Sequence, residues 1–263
     1  MYKLLLVGDS ASESQDPLSS LFTREENFGP VLFARGADEA AALLSAQRFD
    51  AVGVLPAAGL KSAVEACLRA ASSPLPLFAW DRSDIAQVRD VRHLLNRLHA
   101  DYYDQPLPQS EMVGIVAGDL VRNLLNGSLK DPQTAPRWLR MLRSPIDPDI
   151  PCRLYDLSMP QGEQYLGGRW HYGENRLESA LCRSFFHQGD PACAYHLAFL
   201  DHTTARMLAI PLCGPVDSFD HTDKSVLHVI EDVKTYLDLD ILVTGARTLP
   251  NLISAALPAR DPH

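Results

Sequence analysis

Four short apolar runs recur through the first eighty residues: "KLLLVG", "PVLFA", "DAVGVL" and "PLPLFAW". Each is too short for a buried helix and is bounded by turn residues. Runs that are apolar throughout, rather than alternating, belong to strands covered on both faces, the signature of a parallel sheet. The segments between them carry helical periodicity instead. "ADEAAALLSAQR" sets Ala40, Leu43 and Leu44 on one stripe behind the cap-like Asp38, and "LKSAVEACLRAA" does the same with Val64, Cys67 and Leu68. "DIAQVRDVRHLLNRLHA" aligns Ile85, Val88, Val91, Leu94, Leu95 and Leu98, then leads into a short strand, "DYY". Five strands with interposed helices predict a doubly wound parallel α/β domain over residues 1–107, with its functional end at the strand C-termini.

A different pattern follows Pro108. "SEMVGIVAGDLVRNLLNGSL" is helical and stops at Asn126-Gly127, a second short helix centres on "APRWLRMLRS", and the proline-rich "SPIDPDIP" marks a boundary. Residues 108–150 therefore read as a helical linker. From 151 to 263 the order is strand "CRLYDLS", helix "GENRLESALCRSFFHQ", strand "AYHLAFL", turn "DHTT", strand "ARMLAIPL", helix "HTDKSVLHVIEDVKTYL" and strand "DILVTGA". That order predicts an α+β domain of ferredoxin-like, split β-α-β type. A last apolar helix is expected at "LPNLISAALPA". In the linker helix Val113, Ala117, Leu120 and Leu124 recur at coiled-coil spacing, with Ile115, Val116 and Val121 as a second apolar edge. This stripe suits a homodimer seam; the alternative is that a helix weakened by Gly114 and Gly118 folds back on its own chain.

Charge and cysteine usage narrow the function. Net charge is -9, with ten cations against fourteen acids up to Leu107 and fourteen against nineteen after it. Neither part has the basic excess that neutralising phosphates requires, so DNA contact is not expected from this chain. The locally basic Arg122, Lys130, Arg137, Arg140 and Arg143, with Trp138 among them, read as a solvated linker face. No apolar run approaches the ~18 residues of a membrane span and no signal segment precedes the first strand, so a cytoplasmic location without membrane attachment is expected. Cys67, Cys152, Cys182, Cys193 and Cys213 are odd in number and scattered, which suits free thiols better than disulfides or a metal knuckle. His171, His187, His196 and His202 lack ligand spacing, so no metal and no cofactor is expected.

The segment Asp101-Tyr102-Tyr103-Asp104-Gln105-Pro106 resembles the closing "D-Y-x-x-K-P" of response-regulator receiver domains, and the strand–helix alternation before it has the same order. The resemblance implies a flavodoxin-like, five-stranded receiver fold. A working receiver holds Mg²⁺ on a carboxylate pair after its first strand and takes the phosphoryl group on a carboxylate after its third. A hydroxyl after the fourth strand and a lysine before the proline complete the device. Here the pair is Gly8-Asp9, the acceptor position is Leu55 (Val54 if the register slips), the hydroxyl position is Ala79, and the lysine is Gln105. The resemblance thus implies a pseudo-receiver that keeps the fold without phosphotransfer. Asp9 alone suits a helix cap or a solvated loop acid better than a metal ligand.

From Glu111 onward the chain is similar to AraC-type response regulators of the YesN-like group, in which a receiver precedes a helical linker ending in "LLxG" and a degenerate GGDEF-like module. The similarity rests on "LVRNLLNGSLKDPQTAPRWLRML" and on "CRLYDLSM…YGENRLESALCRSFF…YHLAFLDHTTARMLAIPL". An active nucleotide cyclase would carry glycines and metal-binding acids on the central hairpin. This hairpin is Asp201-His202-Thr203-Thr204, with no glycine and one acid, and Asp156 sits inside a strand, where it is expected to be an exposed strand residue. The expectation is a non-enzymatic, transcription-regulatory signalling protein. DNA would be read only through a helix-turn-helix domain that this chain does not contain. The competing expectations are a small-molecule sensor and a remnant cyclase or phosphotransfer enzyme.

Overall fold

Four strands form the first sheet: β1 (Tyr2–Gly8), β2 (Phe28–Arg35), β3 (Ala51–Val54) and β4 (Leu77–Ala79). All pair in parallel, in the order β2-β1-β3-β4. In the computed structural model, which describes residues 2–8, 28–80, 85–100 and 107–257, the apolar runs are buried as their composition demands. Leu4, Leu5, Leu6 and Val7 are wholly inaccessible, as are Ala51, Val52 and Val54. Successive strand residues face opposite sides, and helices cover both. On one side α1 (Gly36–Ala46) and α2 (Leu60–Ala70) bring Ala40, Val64 and Leu68 into one core with Leu5, Val7, Val52 and Val54.

On the other side stands α3 (Ile85–Leu98), where Asn96 accepts a hydrogen bond from the Tyr2 hydroxyl at 2.8 Å. His99, just beyond the helix, lies 5.2 Å from the Tyr2 ring and 3.3 Å from the Asp50 carboxylate. Gly53 is required on this side: a Cβ there would come within 2.6 Å of Leu6 and 2.8 Å of Phe78. The strand order is compatible with a flavodoxin-like sheet. The fifth strand expected at "DYY" lies outside the described residues.

The second sheet is antiparallel throughout, in the order β6-β7-β5-β8, from β5 (Cys152–Ser158), β6 (Cys193–Phe199), β7 (Thr204–Pro211) and β8 (Leu242–Leu249). β7 separates β5 from β6, and β5 separates β7 from β8, so each helical connection passes over a neighbouring strand. α6 (Gly162–Gly168) and α7 (Glu174–Gln188) make the first connection, and α8 (Asp220–Leu237) makes the second. Tyr155, Leu157, Leu197 and Met207 from the strands pack with Leu177, Leu181, Phe185, Val226, Val229 and Val233 from α7 and α8.

Two elements differ from expectation. α6 falls between "CRLYDLS" and "GENRLESALCRSFFHQ", where the sequence order assigns no element, and is held by Tyr165, whose side chain is buried and whose hydroxyl donates to the Leu237 carbonyl at 2.9 Å. Among the described residues "LPNLISAALPA" forms a single 3₁₀ turn, Leu252–Ala255, opened by Asn251, which accepts the Ser254 amide at 3.1 Å, and ended where the backbone leaves helical geometry at Ala256.

The chain divides into two compact units, Met1–Val116 with Arg140–Ser144, and Ala117–Leu139 with Pro145–His263. The helices read as a linker, α4 (Gln109–Leu125) and α5 (Thr134–Leu142), are shared out between them. α4 is followed, two residues past its end, by Gly127, whose φ of +73° few other residues adopt.

Candidate functional site

The parallel register brings the strand ends of the first unit together. Val7, Val54 and Ala79 are neighbours across the sheet, the Leu55 amide donates to the Val7 carbonyl at 3.0 Å, and the Trp80 amide donates to Val54 at 3.0 Å. Gly8, Leu55 and Ala79 therefore stand side by side at one edge. Leu55 is 8% exposed and Trp80 1%, so apolar bulk fills this edge, while Ala79 is exposed. β2 ends there on Arg35. Among the described residues that close these strands, none carries a carboxylate or a hydroxyl. Asp9 and Gln105, the other two positions of the group, lie outside the described residues.

In the second unit the hairpin acid is fully occupied by its own turn. The Asp201 carboxylate accepts from the Thr203 amide and hydroxyl and from the Thr204 amide and hydroxyl, each at 2.8 Å. These bonds, the Thr204 hydroxyl foremost, hold its pKa down to about 2. An acid that satisfies two residues of a turn in this way is a turn former. The hairpin is also anchored from outside: the Met159 amide donates to the Thr203 carbonyl at 2.7 Å, and Gly162 lies so close to the His202 carbonyl that a Cβ would sit 1.9 Å from it. His202 itself is exposed, 3.7 Å from the Glu174 carboxylate.

Asp156 is not the exposed strand residue expected. It is half-buried and clamped between Arg206 at 3.1 Å and Arg247 at 2.5 Å. A second clamp has no counterpart in the sequence expectations. On the helix-covered face Asp223, in the first turn of α8, accepts from the Tyr155 hydroxyl at 2.6 Å and from Arg153 at 2.8 and 3.1 Å. Burial, then the Asp223 contact, pushes the Tyr155 phenol far above its ordinary range. Nearby, buried Asp190 accepts from the Thr222 hydroxyl at 2.9 Å. Both acids sit beside the amino-terminal turn of a helix and satisfy donors there, a stabilising arrangement. The one sequence signal was acids at the start of an apolar helical run.

The linker-helix stripe is already covered by the chain itself. Ala117 is 3% exposed and Leu120 and Leu124 1% each, while Val113 is half-buried. α4 faces β6 at Gly118, where the His196 imidazole lies 3.9 Å from a built Cβ, an ordinary contact distance that a larger residue would also allow. Burial, with Arg122 adding to it, brings the His196 pKa down to about 4, and its Nε2 is enclosed without a hydrogen-bond partner. Two of the basic residues are also engaged: Arg122 pairs with Glu178 at 2.8 Å and Asp119 at 3.1 Å, and Arg137 lies 3.8 Å from Asp131. Glu178 accepts the Phe199 amide of edge strand β6 at 3.0 Å, which blocks that position against a further strand. Among the described residues no group of three or more His, Cys, Asp or Glu side chains is arranged to hold a metal ion, and no helix is long and apolar enough to cross a membrane. The chain matches no protein-family model and no curated protein.

Proposed function

We propose that this chain is a non-enzymatic regulatory protein of the atypical response-regulator kind. Its first unit is a pseudo-receiver without phosphotransfer, and its second is a ferredoxin-like, GGDEF-like module without cyclase chemistry. The observation that carries the reading is the end of β3. Leu55 is 8% exposed and bonded through its amide to Val7, beside Gly8 and Ala79, where the resemblance calls for the phosphoacceptor, a metal-binding acid and a hydroxyl. Phosphoryl transfer relies on charge-stabilising groups at those positions, and a buried leucine supplies none. The hairpin adds independent support, since the carboxylate of Asp201 is spent on its own turn and leaves no second acid for a two-metal clamp.

A titration with Mg²⁺ and beryllofluoride, followed through the fluorescence of buried Trp80, tests the reading. Working receivers take up this phosphoryl mimic at the acceptor carboxylate. The expected result is no saturable change; a stoichiometric transition that an Asp9→Asn substitution abolishes overturns the reading.

A further inference from the structure

One cavity in the first unit is lined by a buried hydrogen-bond donor that has no acceptor. It is an open cleft of about 490 Å³ where the carboxyl ends of α2 and α5 meet the start of α4. It lies at the amino-terminal side of β4, the opposite end of the sheet from Leu55 and Ala79. Arg69, at the end of α2, and Arg143, one residue beyond α5, both line it, together with the hydroxyl-bearing Ser72, Ser73 and Ser110 and a single carboxylate, Glu65.

The two guanidiniums are close enough to oppose each other. Burial depresses the Arg143 pKa, Arg69 depresses it further, and Glu65 is the one acid that works against them. Among the described residues neither Arg69 nor Glu65 forms an ion pair. Arg143 donates through Nη2 to the Ser73 carbonyl, while its Nε–H is buried without any acceptor. A buried donor left unpaired is uncommon and costly in a folded chain.

The backbone gives a second indication. Ser72 has φ +48° and Arg143 φ +51°, and each stands just past a helix end, in the left-handed position that glycine usually fills. Glycine would relieve the strain at both. The chain instead keeps a hydroxyl and a guanidinium there, and both line the same cavity. The partial negative charge of the two helix ends accounts for a cation at each. It does not account for the orphaned Nε–H, nor for three serines beside it.

We propose that this cavity binds a small organic phosphomonoester, with the dianionic head between Arg69, Arg143 and the serine hydroxyls. Paired guanidiniums offer the forked donors that phosphate oxygens accept best. The volume exceeds what a bare phosphate fills, and Leu68, Val113 and Leu142 give the organic part an apolar wall. The site is independent of the pseudo-receiver reading, and each stands if the other fails.

Calorimetry and thermal melts on the full chain test it, with phenyl phosphate, inorganic phosphate and phenol as probes. Phenyl phosphate is expected to bind saturably below ~1 mM and to raise the melting temperature, with inorganic phosphate at least several-fold weaker and phenol silent. Arg69→Gln should weaken phenyl phosphate by about tenfold or more, the loss of a charge-assisted bond pair. Arg143→Gly removes the other guanidinium while suiting the backbone, so it should fold at least as stably as the wild type and lose the ligand-induced shift. Absence of saturable phenyl phosphate binding overturns the proposal. So does inorganic phosphate binding as tightly as phenyl phosphate, or unchanged affinity in either variant.

Discussion

Replacing Asp201 with alanine isolates what the hairpin acid does. Four hydrogen bonds of 2.8 Å end on its carboxylate, and they lower its pKa from 3.8 to about 2. At 1.36 kcal/mol per unit the depression corresponds to about 2.4 kcal/mol. Asp201 is exposed, however, and solvent screening reduces this to about 1 kcal/mol. Because the folded pKa lies below the unfolded one, the contribution is complete above about pH 4 and is lost as pH falls through about 2. Asp201→Ala should therefore cost about 1 kcal/mol at pH 7, a fall of about 2–4 °C in melting temperature. Wild type and variant should converge as the pH is lowered from about 4 towards 2. Urea unfolding followed by circular dichroism, repeated across that range with and without Mg²⁺, reads both effects. A variant as stable as wild type at pH 7, or a gap that persists unchanged under acid or widens with Mg²⁺, refutes the assignment of Asp201 as a turn former.

Gly162→Ala should destabilise the second unit by about 1–3 kcal/mol, because its Cβ would collide with the His202 carbonyl, and backbone yields less readily than a side chain; chemical denaturation measures it. Leu120→Glu should place an unpaired charge in the interior and unfold the second unit, costing about 3 kcal/mol or more. Circular dichroism distinguishes that loss from the dissociation of an intact fold that a dimer seam would give. Thiol labelling of the native chain at neutral pH should modify Cys213 first, since it is exposed whereas burial pushes the Cys152 thiol up to about 12. Cys213→Ser should remove the fast phase.

The strands of the first unit were legible because a stretch such as Leu4–Val7 is apolar on both faces, and only a sheet covered on both sides accommodates it. The second unit was legible through alternation: Tyr155, Leu157, Leu197 and Met207 turn to the helices. α6 was hidden because a helix of seven residues, anchored mainly by Tyr165, has no period to read. The linker stripe shows the same limit from the other side. The spacing of Ala117, Leu120 and Leu124 states that the helix must be covered, and the fold rather than the spacing decides that its own chain covers it. The site residues divide similarly. Leu55 and Ala79 could be aligned from strand order alone, whereas the Asp223 clamp on Tyr155 and Arg153, and the cavity that Arg69 and Arg143 both line, bring together residues about 70 positions apart. No local pattern carries such pairs.

Intact-mass spectrometry of the full chain after incubation with acetyl phosphate and Mg²⁺ bears most directly on the loss of phosphotransfer. With Gly8, Leu55 and Ala79 at the joined strand ends and Leu55 buried, no acceptor carboxylate stands at the end of β3, and the mass should remain that of the unmodified chain. A stoichiometric gain of one phosphoryl group, mapped to residues 1–107, would contradict the account.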